Sequence, residues 1–280
     1  MKDFEALPEG APSARPATAP KSVGSPRAVL IEKMTRSVAI SFGTTIGVKR
    51  GDPDYPALLV AQTYLGQHRA SGGRLFDRMR EVRGLNYGDY AYIEYFPQGM
   101  FRFDPEPNLA REQQIFQIWI RPVPPTAAHF ALRLALFELN KLIQDGLTQE
   151  AFERTRSFLT KNVNLLIKTK QAELGYAIDS LYYGIPDYNS YLRNSLAKLT
   201  VKDVNAAIKR HLRTDDIRIV AVAQNSEALK SKLVSNALSP MTYDSPKPED
   251  VMEEDKIVER FRIDLKPESV QIVPVETIFE

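Results

Sequence analysis

Few residues in this chain have the types and spacing to do chemistry, and their arrangement excludes the commonest catalytic designs. Zinc hydrolysis needs imidazole and carboxylate ligands brought together, typically two histidines one helical turn apart with an acid nearby. The three histidines, His68, His129 and His211, stand far apart, and neither H-E-x-x-H nor H-x-x-E-H occurs. Each reads as an ordinary surface or helix-end histidine, and His68 and His211 fall near predicted helix C-termini, where positive charge is favourable. No metal site is expected within the chain. The absence of cysteine removes thiol catalysis, disulfides and cysteine-based zinc sites, and leaves the redox compartment unread. Ser71-Gly72-Gly73-Arg74 lies before a helix but lacks the lysine and spacing of a Walker loop and the third glycine of a dinucleotide fingerprint. A tight helix–helix connection is the expectation there. No Gly-x-Ser-x-Gly elbow singles out a serine nucleophile.

The most informative stretch is residues 73–87, GRLFDRMREVRGLNY, followed by GDYAYIEYF. Arg80 falls near the end of a short helix and Tyr87 at the start of the next strand, so both side chains can project from one rim of a sheet. Taken by spacing alone, two readings stand. In one, Arg80 and Arg83 complement a helix C-terminus while Tyr87, Tyr90 and Tyr92 are sheet-face aromatics. In the other, Arg80 and Tyr87 project together from that rim.

The elements that must position this pair follow from periodicity. Residues 28–34 (AVLIEKM) and 37–47 (SVAISFGTTIG) are β-branched and alternating, which predicts two adjacent, paired strands. Residues 52–67 switch to helical spacing after Asp-Pro and Tyr-Pro. A second, short helix is expected over 74–83, stopped by Gly84. Aromatic and β-branched runs at 87–96 and 113–121 predict strands separated by a Pro- and Gly-rich loop. Helices are expected over 130–143, after Thr148, over 171–183 and 187–196, and after Thr200, whose capping box uses Asp203. Residues 216–223 (DIRIVAVA) read as a central strand buried on both faces. Beyond Ser235 periodicity fades: SPMTYDSPKPEDVMEED reads as loop, and 261–279 holds two short strand-like pieces.

A chain of 280 residues, 43% apolar and 26% charged, can bury a sizeable core. The near-neutral formal charge of +2 disfavours nucleic acid as a partner. Neither a membrane span nor an export signal is legible, so the chain as given is expected to be soluble. Residues 7–26 are Pro-, Ala-, Ser- and Gly-rich, the composition of an extended linker. The expected organisation is a linker over 1–27, an α+β domain over 28–235 with a mixed, largely antiparallel sheet and helices packed on one side, and a C-terminal extension or strap over 236–280.

The run GRLFDRMREVRGLNYG resembles the C-terminal-half motif of the pitrilysin/insulinase family of zinc metallopeptidases: a small-Arg/Ser-Leu-Phe helix followed by Leu/Met-Arg-x-x-x-x-x-x-Tyr. Supporting pieces extend over most of 27–234, including the opening strands, LTVKDV at 199–204, and DIRIVAVA; the tail IDLKPESVQIVPVETIFE is similar to C-terminal ends of bacterial members. The resemblance implies two homologous halves, in one precursor or as two subunits, closing around a peptide. One half carries H-x-x-E-H and zinc, and this chain, lacking the motif, is the non-catalytic half. Carried over by position, the family's arginine–tyrosine pair falls on Arg80 and Tyr87, which help hold the substrate and polarise the scissile carbonyl. The resemblance also implies a bacterial envelope location. The alternative is a structural or assembly subunit without peptide binding.

Overall fold

Among the described residues, alternating β-branched and aromatic residues build six strands, and the runs at helical spacing pack over one face of the sheet they form. The computed structural model of the protein describes residues 19–67, 72–94 and 107–278, together with Ala6 and Gly10. Most of the 7–26 linker expectation, His68, Ser71 and the ends of the strand expectations at 95–96 and 279 lie outside the described residues. The strands are β1 (Arg27–Glu32), β2 (Val38–Ile46), β3 (Asp89–Tyr92), β4 (Gln114–Val123), β5 (Arg218–Ala223) and β6 (Val270–Pro274). They form one mixed sheet in the order β3-β4-β2-β5-β1-β6. β3, β4, β2 and β5 pair antiparallel in turn, while β1 runs parallel to both β5 and β6. The expected largely antiparallel sheet is present.

Two strand expectations need correction. β1 and β2 are not hydrogen-bonded neighbours, because β5 inserts between them. Side-chain alternation says which face a residue takes but not which strand lies beside it, and β5 arrives from about 170 residues downstream to satisfy both neighbours. β5 is central, as expected, yet it is buried on one face only: Ile219, Ala221 and Ala223 point into the core, whereas Arg218 and Val220 are exposed. Valine suits either side of a pleated surface, so a nearly continuous apolar run overstated the burial.

The helices are α1 (Tyr55–Gly66), α2 (Ala128–Asp145), α3 (Gln149–Asn162), α4 (Lys170–Tyr183), α5 (Tyr188–Lys198), α6 (Val201–His211), α7 (Ser226–Val234) and α8 (Glu249–Val258). Their ends obey local chemistry. Thr148, Thr169 and Asp187 accept hydrogen bonds from the backbone N–H three residues on, and Thr200 and Asp203 form the expected reciprocal box. α1 and α2 are buried over most of their surface and lie at the centre of the core with Leu30, Ile40, Phe42, Ile118 and Ile219. α8 corrects the expectation of a loop. Its buried apolar residues are only Val251 and Val258, while Met252 and Ile257 stay exposed, and its buried face is chosen by arginines elsewhere in the chain. Of the two strand-like pieces expected in the tail, only β6 is a strand; Ile263 and Leu265 enter the core as irregular chain.

Candidate functional site

The expected short helix is a π-helical turn, Phe76–Glu81, widened so that the Val82 N–H donates to Asp77 O at 2.9 Å. Such turns are rare and recur at functional sites. It ends, as expected, at Gly84, whose φ of +68° suits a residue without Cβ. Phe76 and Met79 point inward and Arg80 outward, where its guanidinium carbon lies 4.8 Å from the centre of the Phe76 ring and 4.5 Å from that of Tyr87. Arg80 Nη1 also donates to Tyr87 O at 3.3 Å. The two residues chosen from sequence are therefore side by side, held by cation–π contacts. Tyr87 is 69% exposed, so it is not a sheet-face aromatic. Tyr90 and Tyr92 are, standing with Trp119 on the face away from the helices.

The turn that presents Tyr87 is anchored beneath it. Asn86 Nδ2 donates to Asp89 Oδ1 at 2.8 Å and to Arg121 O at 3.0 Å, and the Gly88 N–H donates to Asn86 Oδ1 at 3.0 Å. Gly88 has φ +147°, and a Cβ there would meet the Tyr90 hydroxyl at 2.8 Å, so no other residue fits this corner. Asp89 Oδ1 accepts from the Arg121 N–H at 3.1 Å, while Oδ2 is buried with no partner. Burial pushes the Asp89 carboxyl up to about 7 despite the bonds from Asn86 and Arg121.

Sequence reasoning missed what holds the π-helical turn from behind. Arg83 is buried, donating Nε to Asp255 Oδ1 at 2.8 Å and Nη2 to Glu254 Oε2 at 2.7 Å, both on α8. Its Nη1 donates to Arg78 O at 3.0 Å, which is the complement to the turn's carbonyls that spacing suggested. Arg78 also pairs with Glu254 and, at 3.5 Å, with Glu138 of α2; Arg74 donates to Glu138 at 2.8 Å. Burial opposes ionisation of Glu254, but the bonds from Arg83 and Arg78 hold it below the usual carboxylate range. The only signal in the sequence was the run of four basic residues at 74, 78, 80 and 83 with too few local acids to match.

The two described histidines, His129 and His211, lie apart, one at the start of α2 and the other at the end of α6. His211 ends α6 and its Nε2 lies 2.7 Å from Asp54 Oδ2, a helix-end role as expected. His129 is not a surface residue: it is 3% exposed near the start of α2, with no partner for either ring nitrogen, and burial with Arg133 and Lys232 nearby depresses it to about 3. Among the described residues no group of three or more histidines, aspartates or glutamates could hold a metal. The described residues therefore offer no ligand set for zinc. Nor could Arg74 serve a phosphate, since it is committed to Glu138. No helix among the described residues is long and apolar enough to cross a membrane.

Comparison with known proteins bears on this arrangement. The family described as the peptidase M16 inactive domain matches residues 1–159. A Helicobacter pylori protein named non-peptidase homolog YmxG is 22% identical over 204 residues, 71% of this chain and 42% of that protein. The crystal structure of a peptidase M16 inactive domain from Pseudomonas fluorescens superposes with a TM-score of 0.61 at 23% identity, over 80% of this chain and 49% of that one. A protease from Helicobacter pylori superposes with a TM-score of 0.62 at 14% identity, over 79% and 50%. These structural likenesses show the fold, and the chain spans about half the length of the relatives it matches.

Proposed function

Because the chain belongs to the peptidase M16 inactive-domain family, we propose that it is the substrate-holding half of a zinc-dependent peptidase whose H-x-x-E-H half, with its zinc, lies elsewhere. The partner half is either part of the same precursor or a separate subunit, and the ligand is a peptide enclosed between the two. The observation that carries this reading is the Arg80–Tyr87 pair: a guanidinium and an exposed phenol set together on an anchored turn, with no bond to the Tyr87 hydroxyl among the described residues. A residue serving only packing would bury that ring. In the closed peptidase, the hydroxyl and the guanidinium donate to the scissile carbonyl as negative charge develops on its oxygen.

The test uses the chain combined with the H-x-x-E-H half that completes it, a fluorogenic peptide, and the variants Tyr87→Phe and Arg80→Lys. Each should lower turnover by roughly ten- to a thousand-fold, as expected when one such donor is lost, with little change in thermal midpoint. Full turnover in both folded variants would leave the structural or assembly subunit as the better account.

A further inference from the structure

The face of the sheet turned away from the helices carries an electrostatic arrangement that folding alone does not explain. The register places Arg27 of β1 directly beside Arg218 of β5. Like charges opposed across neighbouring strands are destabilising. Both arginines are exposed, and neither has a carboxylate partner among the described residues. On the other side of Arg218 the register reaches Gly43 of β2 and then Gln117 of β4. Gly43 leaves the floor bare there: a Cβ would meet Phe116 O at 2.4 Å, so the close approach of β2 and β4 admits no side chain.

The result is a hollow of about 240 Å³, floored by Ser41, Gly43 and Gln117 and walled by Lys21, Asp216 and Arg218. Lys21, like Arg218, has no ion-pair partner among the described residues. Asp216, the one acid of the wall, is already committed: its Oδ1 accepts from the Val23 N–H at 2.6 Å and the Gly24 N–H at 3.1 Å, which seats the segment bearing Lys21. Two unpaired cations thus face a hollow lined otherwise by the hydroxyl residues Ser41, Thr44 and Thr45, the Gln117 amide and apolar groups.

We propose that this hollow is a subsite for an acidic side chain of a peptide lying on the open face of the sheet, with Arg218 and Lys21 holding the carboxylate and Arg27 adding to the field. The inference rests on the substrate-holding reading and gives it a substrate class: peptides with a glutamate or aspartate, rather than basic or uncharged ones. Arginine makes a bidentate fork to a carboxylate, and Gln117 and Ser41 supply further hydrogen bonds.

The experiment uses the full chain. Trp119 is the only tryptophan, and its Nε1 donates at 3.0 Å to Gln117 Oε1 on the floor, so its fluorescence reports occupancy. Two peptides blocked at both ends, Ac-Ala-Val-Glu-Val-Ala-amide and its glutamine counterpart, are titrated against the chain and against Arg218→Gln and Lys21→Gln, with circular dichroism melts as the folding control. The glutamate peptide should bind about tenfold more tightly or better, the preference should fall as salt rises, and Arg218→Gln should abolish it without lowering the melt. Equal binding of the two peptides, or a preference that survives in Arg218→Gln, overturns the subsite and leaves the holding role intact. Binding of neither peptide counts against the holding role itself and takes the subsite with it. A third peptide, with glutamine in place of glutamate and a free C-terminus, separates side-chain recognition from capture of a terminal carboxylate; tight binding of that peptide alone overturns the proposal.

Discussion

Replacing Asp89 by asparagine tests the anchoring of the Tyr87 turn through its pH dependence. Asp89 is fully buried, with a carboxyl raised from 3.8 to about 7 by that burial. A folded pKa above the unfolded one means the native state binds the proton more tightly. The stability from this group is therefore greatest at low pH and is lost as pH rises through about 7. Between pH 5 and pH 8 the two pKa values correspond to about 3 kcal/mol of lost stability, at 1.36 kcal/mol per unit. Asparagine keeps an oxygen for Asn86 Nδ2 and the Arg121 N–H, and places an amide where Oδ2 is now unpartnered. That amide adds a cost of about 1–3 kcal/mol, but one that does not vary with pH. The difference in unfolding free energy, variant minus wild type, should therefore rise by about 3 kcal/mol from pH 5 to pH 8, whatever its value at either end. Urea unfolding followed by Trp119 fluorescence at constant ionic strength measures it. A difference that stays flat, or falls with pH, would show that Asp89 is ionised in the folded protein at little cost and would refute the reasoning.

Other outcomes follow from the same structure. Arg83→Leu leaves the buried Asp255 carboxylate without its cation behind the π-helical turn and should cost about 3–5 kcal/mol in chemical denaturation, whereas the exposed pair Lys170–Glu173 should contribute less than about 1 kcal/mol when Glu173→Gln is made. His129→Leu removes two unsatisfied ring nitrogens and should be neutral or stabilising at pH 7; a loss above about 2 kcal/mol would point to a partner for the imidazole. Thr200→Ala should lower stability by about 1 kcal/mol through loss of the cap of α6, read from the thermal midpoint. Purified protein should carry no stoichiometric zinc by elemental analysis and cleave no peptide by itself; one tightly bound zinc with chelator-sensitive turnover would overturn the assignment of the chemistry to another half.

The sequence alone determined what is local. Helix caps at Thr148 and Thr200, the stop at Gly84 and the period-two strands are set by residues within a few positions of one another, and all stand where spacing put them. The Arg80–Tyr87 pair was legible for the same reason: seven residues joined by a turn and a Gly88 corner leave little freedom in how the two can meet. Order among strands was not legible, because β-branched alternation specifies a face and says nothing of a neighbour, so β5 could enter between β1 and β2 unseen. The valines of β5 could not reveal that one sheet face stays open, since a valine looks the same whether it is covered or not. Helix α8 was hidden because its stability comes from Arg78 and Arg83, more than 160 residues earlier, and no local period encodes an ion pair across that distance. The hollow beside Arg218 is likewise a product of register: Arg27, Gly43, Gln117 and Arg218 are spread over nearly two hundred residues, and only the pairing of four strands sets them in one row.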